Sequence, residues 1–223
     1  MPNRRNDVSR RRSRSTIGNA STKSWSKMND IELSVVTATW RRPKLLAMCL
    51  QQFRAQSTGE LRTEHVIVSD GPDPMARAQA SAEHAQYVER TNNGGRWGAF
   101  AKDDGIAAAR GRYVCFWDDD NLYEPHALTA LLAAAWGVDI GIVQCRHLLR
   151  TPGESTVLPR SWAGEFRLGD IDSMCVCVRR EVALTERWAD SSRRRGEDYR
   201  WLARLKQRGV SIRFAPIVIG THL

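Results

Sequence analysis

Gly105-Ile106-Ala107-Ala108-Ala109-Arg110-Gly111-Arg112-Tyr113-Val114-Cys115-Phe116-Trp117-Asp118-Asp119-Asp120-Asn121 is the stretch from which the rest of the chain is read. Its first part closes an Ala-rich helical segment spanning about Ala99–Arg110. Tyr113–Trp117 is an unbroken apolar run of strand length, the pattern of a strand buried on both faces. That run passes directly into three carboxylates. Consecutive aspartates repel one another unless a cation or solvent offsets their charge. Hard divalent ions such as Mg²⁺ and Mn²⁺ take oxygen ligands of this kind and bridge to substrate phosphates. If strand alternation continues, Asp118 and Asp120 share a face. A solvated acidic turn ahead of a helix N-terminus accounts for the three aspartates equally well.

Outward from this stretch, strands alternate with helices. Ile31–Val36 is β-prone, and Pro43 with Leu45, Leu46, Cys49, Leu50 and Phe53 marks a helix. His65–Val68 is a strand closed by the turn signal Ser69-Asp70-Gly71-Pro72, and a polar, Ala-rich helix follows near Met75–Ala85. Downstream, the pattern predicts a helix over Pro125–Ala135, strands over Ile140–Cys145 and Met174–Val178, a helix over Glu197–Gln207 and a last strand over Ile212–Phe214. The alternation predicts an α/β fold, a mostly parallel sheet with helices on both faces, in one domain over residues 31–223.

The chain has 223 residues, enough for one substantial α/β domain. Its net charge of +9 is unevenly spread: residues 1–30 hold eight Lys or Arg against Asp7 and Asp30, so six of the nine charges belong to this segment. Rich in Arg, Ser and Asn and poor in large apolar side chains, residues 1–30 are expected to be disordered. Such a basic tail has the chemistry to contact nucleic acid or another anionic surface. The five cysteines lack the spacing of a zinc or redox site, and Cys175 and Cys177 share one strand face, where they pack. No apolar run follows the basic N-terminus, and Gly137 and Asp139 break the most apolar stretch. A cytoplasmic protein with no transmembrane segment is therefore expected.

In open parallel sheets, ligands bind beyond the carboxyl ends of the strands. The polar residues there are Thr37, Thr39 and Arg42 after the first strand, Asp70 after the second, and Asp118 to Asn121 after the third. Glu197-Asp198 opens a later helix, where a carboxylate could take a proton from a hydroxyl or serve the helix terminus structurally. His222 stands next to the last residue.

Taken in order, four segments resemble a family-2 glycosyltransferase of the GT-A fold: Leu33–Pro43, Val66–Pro72, Gly105–Asn121 and Gly196–Leu205. The resemblance covers about residues 31–223. It implies a nucleotide-sugar donor, with UDP expected, a hydroxyl acceptor of unspecified kind and a Mn²⁺ or Mg²⁺ cofactor. Carried onto this sequence, Asp120 binds the metal, with Asp118 on the ribose or metal and His222 completing the site. Thr37, Thr39 and Asp70 hold base and ribose, and Asp119 adjoins them. Arg42 and Lys102 serve the phosphates. Asp198, beside Glu197, is the general base of an inverting transfer. One departure stands out: Lys102-Asp103-Asp104 replaces the family's Arg-Asn, and the two acids add negative charge where phosphates are expected. The alternatives are a nucleotidyltransferase, disfavoured by the lack of glycine over Thr37–Arg42, and a nucleic-acid-binding protein, including a transferase acting on modified nucleic acid.

Overall fold

A computed structural model describes residues 31–149, 151–189 and 196–223; the expected tail at 1–30 lies outside them. Nine strands form one sheet. In chain order they are β1 (Leu33–Thr39), β2 (Thr63–Ser69), β3 (Gln86–Glu89), β4 (Tyr113–Phe116), β5 (Leu122–Tyr123), β6 (Ile140–Leu148), β7 (Ser155–Leu158), β8 (Val176–Arg179) and β9 (Ile212–His222). The helices are α1 (Pro43–Arg54), α2 (Pro74–Ala82), α3 (Ala99–Ala108), α4 (Ala127–Ala135), α5 (Arg180–Ala183) and α6 (Glu197–Gln207). The sheet order is β3-β2-β1-β4-β8-β6-β9-β5, with β7 paired to β6. The first four strands in that order run parallel, as does β9 beside β6, while β8, β7 and β5 pair antiparallel.

The parallel half follows from composition. Every residue of β1 is buried, as a central strand covered on both faces requires. Ile67 of β2 packs with Leu46 and Leu50 of α1 and Ala76 and Ala80 of α2 on one face. Its neighbours in the pleat point the other way, and there Val36 and Val68 meet α3 at Gly105. Helices therefore cover both faces, as expected. A Cβ at Gly105 would stand 2.3 Å from Val36 Cγ1, so α3 reaches the sheet only because this residue lacks a side chain. Gly105→Ala is expected to cost a net ~1–2 kcal/mol, since overpacking against a stiff, buried valine outweighs the gain in helix propensity. Urea denaturation should show a lower midpoint at unchanged m-value.

Two features of the sheet differ from the expectation. The last strand continues through Pro216 to His222, beyond the expected Phe214. Between the pairs Ile142–Phe214 and Gln144–Val218, β9 uses two residues more than β6, and this irregularity accommodates a proline that cannot donate to a ladder. The short strands β3, β5 and β7 were not expected; each has at most four residues. All five cysteines are buried and free. Among the described residues, no helix is long and apolar enough to cross a membrane.

Candidate active site

The chain runs from β1 out to β2 and β3, then returns to place β4 on the other side of β1. This is a topological switch point, where strand ends diverge and leave a crevice. A cleft of about 950 Å³ lies there, lined by Thr39, Arg42, Asp70, Lys102, Asp118, Asp120, Glu197, Asp198 and His222, among others. Of the sequence-derived candidates, only Thr37 and Asp119 do not line it.

The aspartate run is held by aromatic packing. Tyr123 stacks on Trp117 with ring centroids 3.8 Å apart, and its hydroxyl accepts the Asp118 backbone N–H at 2.9 Å. The three carboxylates then divide as strand alternation predicts. Asp118 and Asp120 line the cleft, whereas Asp119 is turned inward and is 1% exposed. Thr39 Oγ1 donates to Asp119 Oδ2 at 2.7 Å, and Arg42 bridges Asp119 Oδ1 at 2.7 Å and Asp120 Oδ2 at 2.8 Å. Burial pushes the Asp119 carboxyl up to about 6, against the opposing pull of Thr39 and Arg42. The expected donor contact by Asp119 is thus corrected: it anchors Arg42 from below the cleft floor.

Thr37 is corrected as well. It shares a strand face with Thr39 but lies two residues deeper in the core, where its hydroxyl is 2.9 Å from His65 Nε2 and 3.7 Å from Cys49 Sγ. Burial drives the His65 imidazole down to about 3, so it is a neutral core residue stacked on Phe53.

Lys102 is 5% exposed and lies 3.1 Å from Asp118 Oδ1 and 3.1 Å from Ser173 Oγ. Burial pulls its ammonium down, but the Asp118 charge and hydrogen bond outweigh this and raise it, so Lys102 stays charged. The two acids after it do not intrude on the cleft. Asp103 accepts the backbone N–H groups of Trp188 and Ala189 at 2.6 and 3.2 Å, and Asp104 pairs with Arg90. Helical rotation carries them away from the phosphate side, so the charge penalty read from the sequence does not arise. Asp70 is fully engaged: the Gly94 and Gly95 N–H groups donate to its two oxygens at 2.9 and 3.0 Å, and Arg90 Nε lies 3.0 Å away. It fixes the glycine loop at the cleft rim.

From the same cleft wall, α6 presents Glu197 and Asp198 in its first turn, after Gly196 in a left-handed conformation. Burial, and then the neighbouring Asp172 charge, push Asp198 up to about 6. His222 lines the same cleft as Asp118 and Asp120. Its Nδ1 lies 3.0 Å from Asp172 Oδ2, and its ring stacks on His147 at 4.4 Å. His147, Asp172 and His222 bring potential ligand atoms within 4.8 Å of one another, a set that does not include the aspartate run. His222 faces His147 because β9 pairs in parallel with β6, a register that no local motif announces. His147, Asp172 and Ser173 were missed for the same reason; they sit in segments without a recognisable pattern.

The donor set suits a hard divalent cation. Among the described residues, six carboxylates line the cleft (Asp70, Asp118, Asp120, Asp172, Glu197 and Asp198), with the cations Arg42 and Lys102. A divalent cation held by these oxygens would offset their charge toward an anionic ligand.

A family model described as Glycosyl transferase family 2 matches residues 34–195. EpsH of Bacillus subtilis, a protein with a provisional glycosyltransferase name, is 29% identical over 140 residues, which are 60% of this chain and 34% of that protein. The chain thus spans about a third of the length of the curated relatives it matches. Among solved structures, residues 1–349 of TarS from S. aureus superpose with a TM-score of 0.67 at 14% identity, covering 85% of this chain and 60% of that one. The mannosyltransferase PcManGT from Pyrobaculum calidifontis, solved with GDP-Man and Mn²⁺, gives a TM-score of 0.61 at 20% identity, covering 90% and 60%. At these identities the likeness establishes the fold.

Proposed function

The chain belongs to glycosyl transferase family 2, and from that premise we propose that it transfers a sugar from a nucleoside-diphosphate sugar to an acceptor hydroxyl with inversion. The observation that carries the reading is that Asp118, Asp120 and the half-buried Asp198 line a single cleft. Related folds have been solved with UDP, UDP-GlcNAc and GDP-Man with Mn²⁺, which supports a nucleotide-sugar donor.

In this reading the donor's diphosphate lies near Arg42 and Lys102, and the nucleoside lies toward Thr39, Trp40 and Asp70. Asp118 and Asp120 would hold a divalent cation, which supplies charge neutralisation for the leaving diphosphate. Asp198 accepts the proton of the acceptor hydroxyl as its oxygen bonds to the anomeric carbon and the bond to the diphosphate breaks. A raised carboxyl suits this task, because a base matched to working pH transfers protons best. A single displacement inverts the anomeric centre. Family membership argues against a nucleotidyltransferase, and the proposed nucleic-acid contact by residues 1–30 lies outside the described structure.

A thermal-shift screen with UDP, GDP, CMP and their sugar conjugates, with and without Mn²⁺, tests the donor half. A ligand at about 100 times its Kd should stabilise the fold by about 2.7 kcal/mol. We expect one nucleoside diphosphate to act in a metal-dependent way, with the metal dependence lost in Asp120→Ala. Absence of any nucleotide response would refute the proposal.

A further inference from the structure

At Asp198 the donor cleft adjoins a second cavity of about 510 Å³, and its wall has a different character. Four of its side chains are aliphatic: Leu149, Leu158, Leu168 and Ile171. Two of these are open to solvent, Leu149 at 43% and Leu168 at 65% exposure. Single exposed leucines are ordinary, but two lining one cavity beside a candidate base are not. A Cβ at Gly196 would stand 2.2 Å from Leu168 Cδ1, so this leucine packs on the residue that starts α6 and sets Asp198.

The two cavities share His147, Asp172, Gly196 and Asp198. A molecule lodged in the second one therefore reaches the same carboxylate as a donor in the first. Among the described residues, the wall's one arginine is already paired, since the Arg160 backbone N–H and guanidinium both meet Asp170 Oδ1, at 3.1 and 3.2 Å. Beyond the residues shared with the donor cleft, the wall is mainly aliphatic, with Thr156 and Arg160 as its polar side chains, and the volume falls within the ~300–1,000 Å³ range of small-molecule sites. A bare sugar or polyol reaching past the shared residues would set hydroxyls against aliphatic side chains that offer them no partner.

We infer that the second cavity takes the acceptor, and that the acceptor carries an apolar alkyl or aromatic group next to the hydroxyl it offers. This inference rests on the transfer reading above. Binding can be measured by ligand-observed saturation-transfer NMR with n-octyl β-D-glucoside below its micellar concentration, phenyl β-D-glucoside and free glucose, each with and without UDP. At least one glycoside should bind about tenfold tighter than glucose, the gain expected from withdrawing roughly one side chain's worth of apolar area from water. Octyl or phenyl preference tells alkyl from aromatic chemistry. Leu149→Asp and Leu168→Asp should each lose most of that gain. Leu168→Asn is the milder alternative, and cooperative melting of each variant serves as the folding control. Equal binding of glucose and both glycosides, or glycoside binding unmoved by the substitutions, would overturn the inference. Apolar selectivity without nucleotide release from any donor would instead overturn the transfer reading and leave the cavity's preference standing.

Discussion

Asp198→Asn is expected to lower turnover by about 10²–10⁴-fold, the usual contribution of a positioned general base. Donor affinity should change little, because the substitution keeps the side-chain shape and removes only the proton acceptor. The pH profile gives a second signature. Burial and the Asp172 charge hold Asp198 at about 6, so wild-type turnover should fall tenfold per unit below about pH 6, and the variant should lose that limb. Stability should move the opposite way from activity. A carboxyl raised in the folded state favours folding when protonated, and that advantage declines as pH rises from the ordinary aspartate range through about 6. Above pH 7 the neutral Asn should therefore melt at a higher temperature than wild type. Equal losses of turnover and donor binding, or an unchanged acid limb, would remove Asp198 from the role of base.

Lys102→Met is expected to destabilise the fold by about 3 kcal/mol. That is the lower end of the roughly 3–5 kcal/mol for breaking a buried ion pair, chosen because Asp118 keeps a quarter of its side chain at solvent. The cost comes mostly from leaving Asp118 with Ser173 Oγ, 3.3 Å away, and no cation beside it. Adding Asp118→Asn to Lys102→Met should recover part of the loss, a non-additivity that urea titration of the double-mutant cycle would read. The Lys102 ammonium is raised on balance, so the pair's contribution persists through neutral pH and fades only above the ordinary lysine range. Additive single losses would mean that Lys102 acts by packing on Trp188, which its ammonium faces at 5.1 Å, and not through Asp118. The same substitution removes a cation from the cleft lining, so donor affinity should fall with it.

Much of the site was legible because its chemistry follows the strands in sequence. The apolar run Tyr113–Trp117 announces a buried strand, and alternation along Asp118, Asp119 and Asp120 separates two cleft-facing carboxylates from an inward one. The acids at Glu197 and Asp198 announce the start of α6 within one turn. Thr37 shows where this logic stops. It belongs to the same motif as Thr39, but two residues earlier its hydroxyl is enclosed by His65 and Cys49. A polar residue in a motif does not disclose whether the strand has yet emerged from the core.

By itself, then, the sequence determined the order of the longer strands and helices, the parallel half of the sheet apart from β3, the aspartate turn and the start of α6. These depend on periodicity, turn chemistry and capping, which act over a few residues and can be read locally. Only the tertiary structure decided which distant groups share the cleft. Lys102 meets Ser173 and Asp118 because α3 lies close on β1 at Gly105. His222 meets His147 and Asp172 because β9 bulges past Pro216 and holds its register beside β6. Those neighbours are set by strand pairing and by the fit of side chains across the core. Both are properties of the whole packed chain, with no counterpart in any one segment.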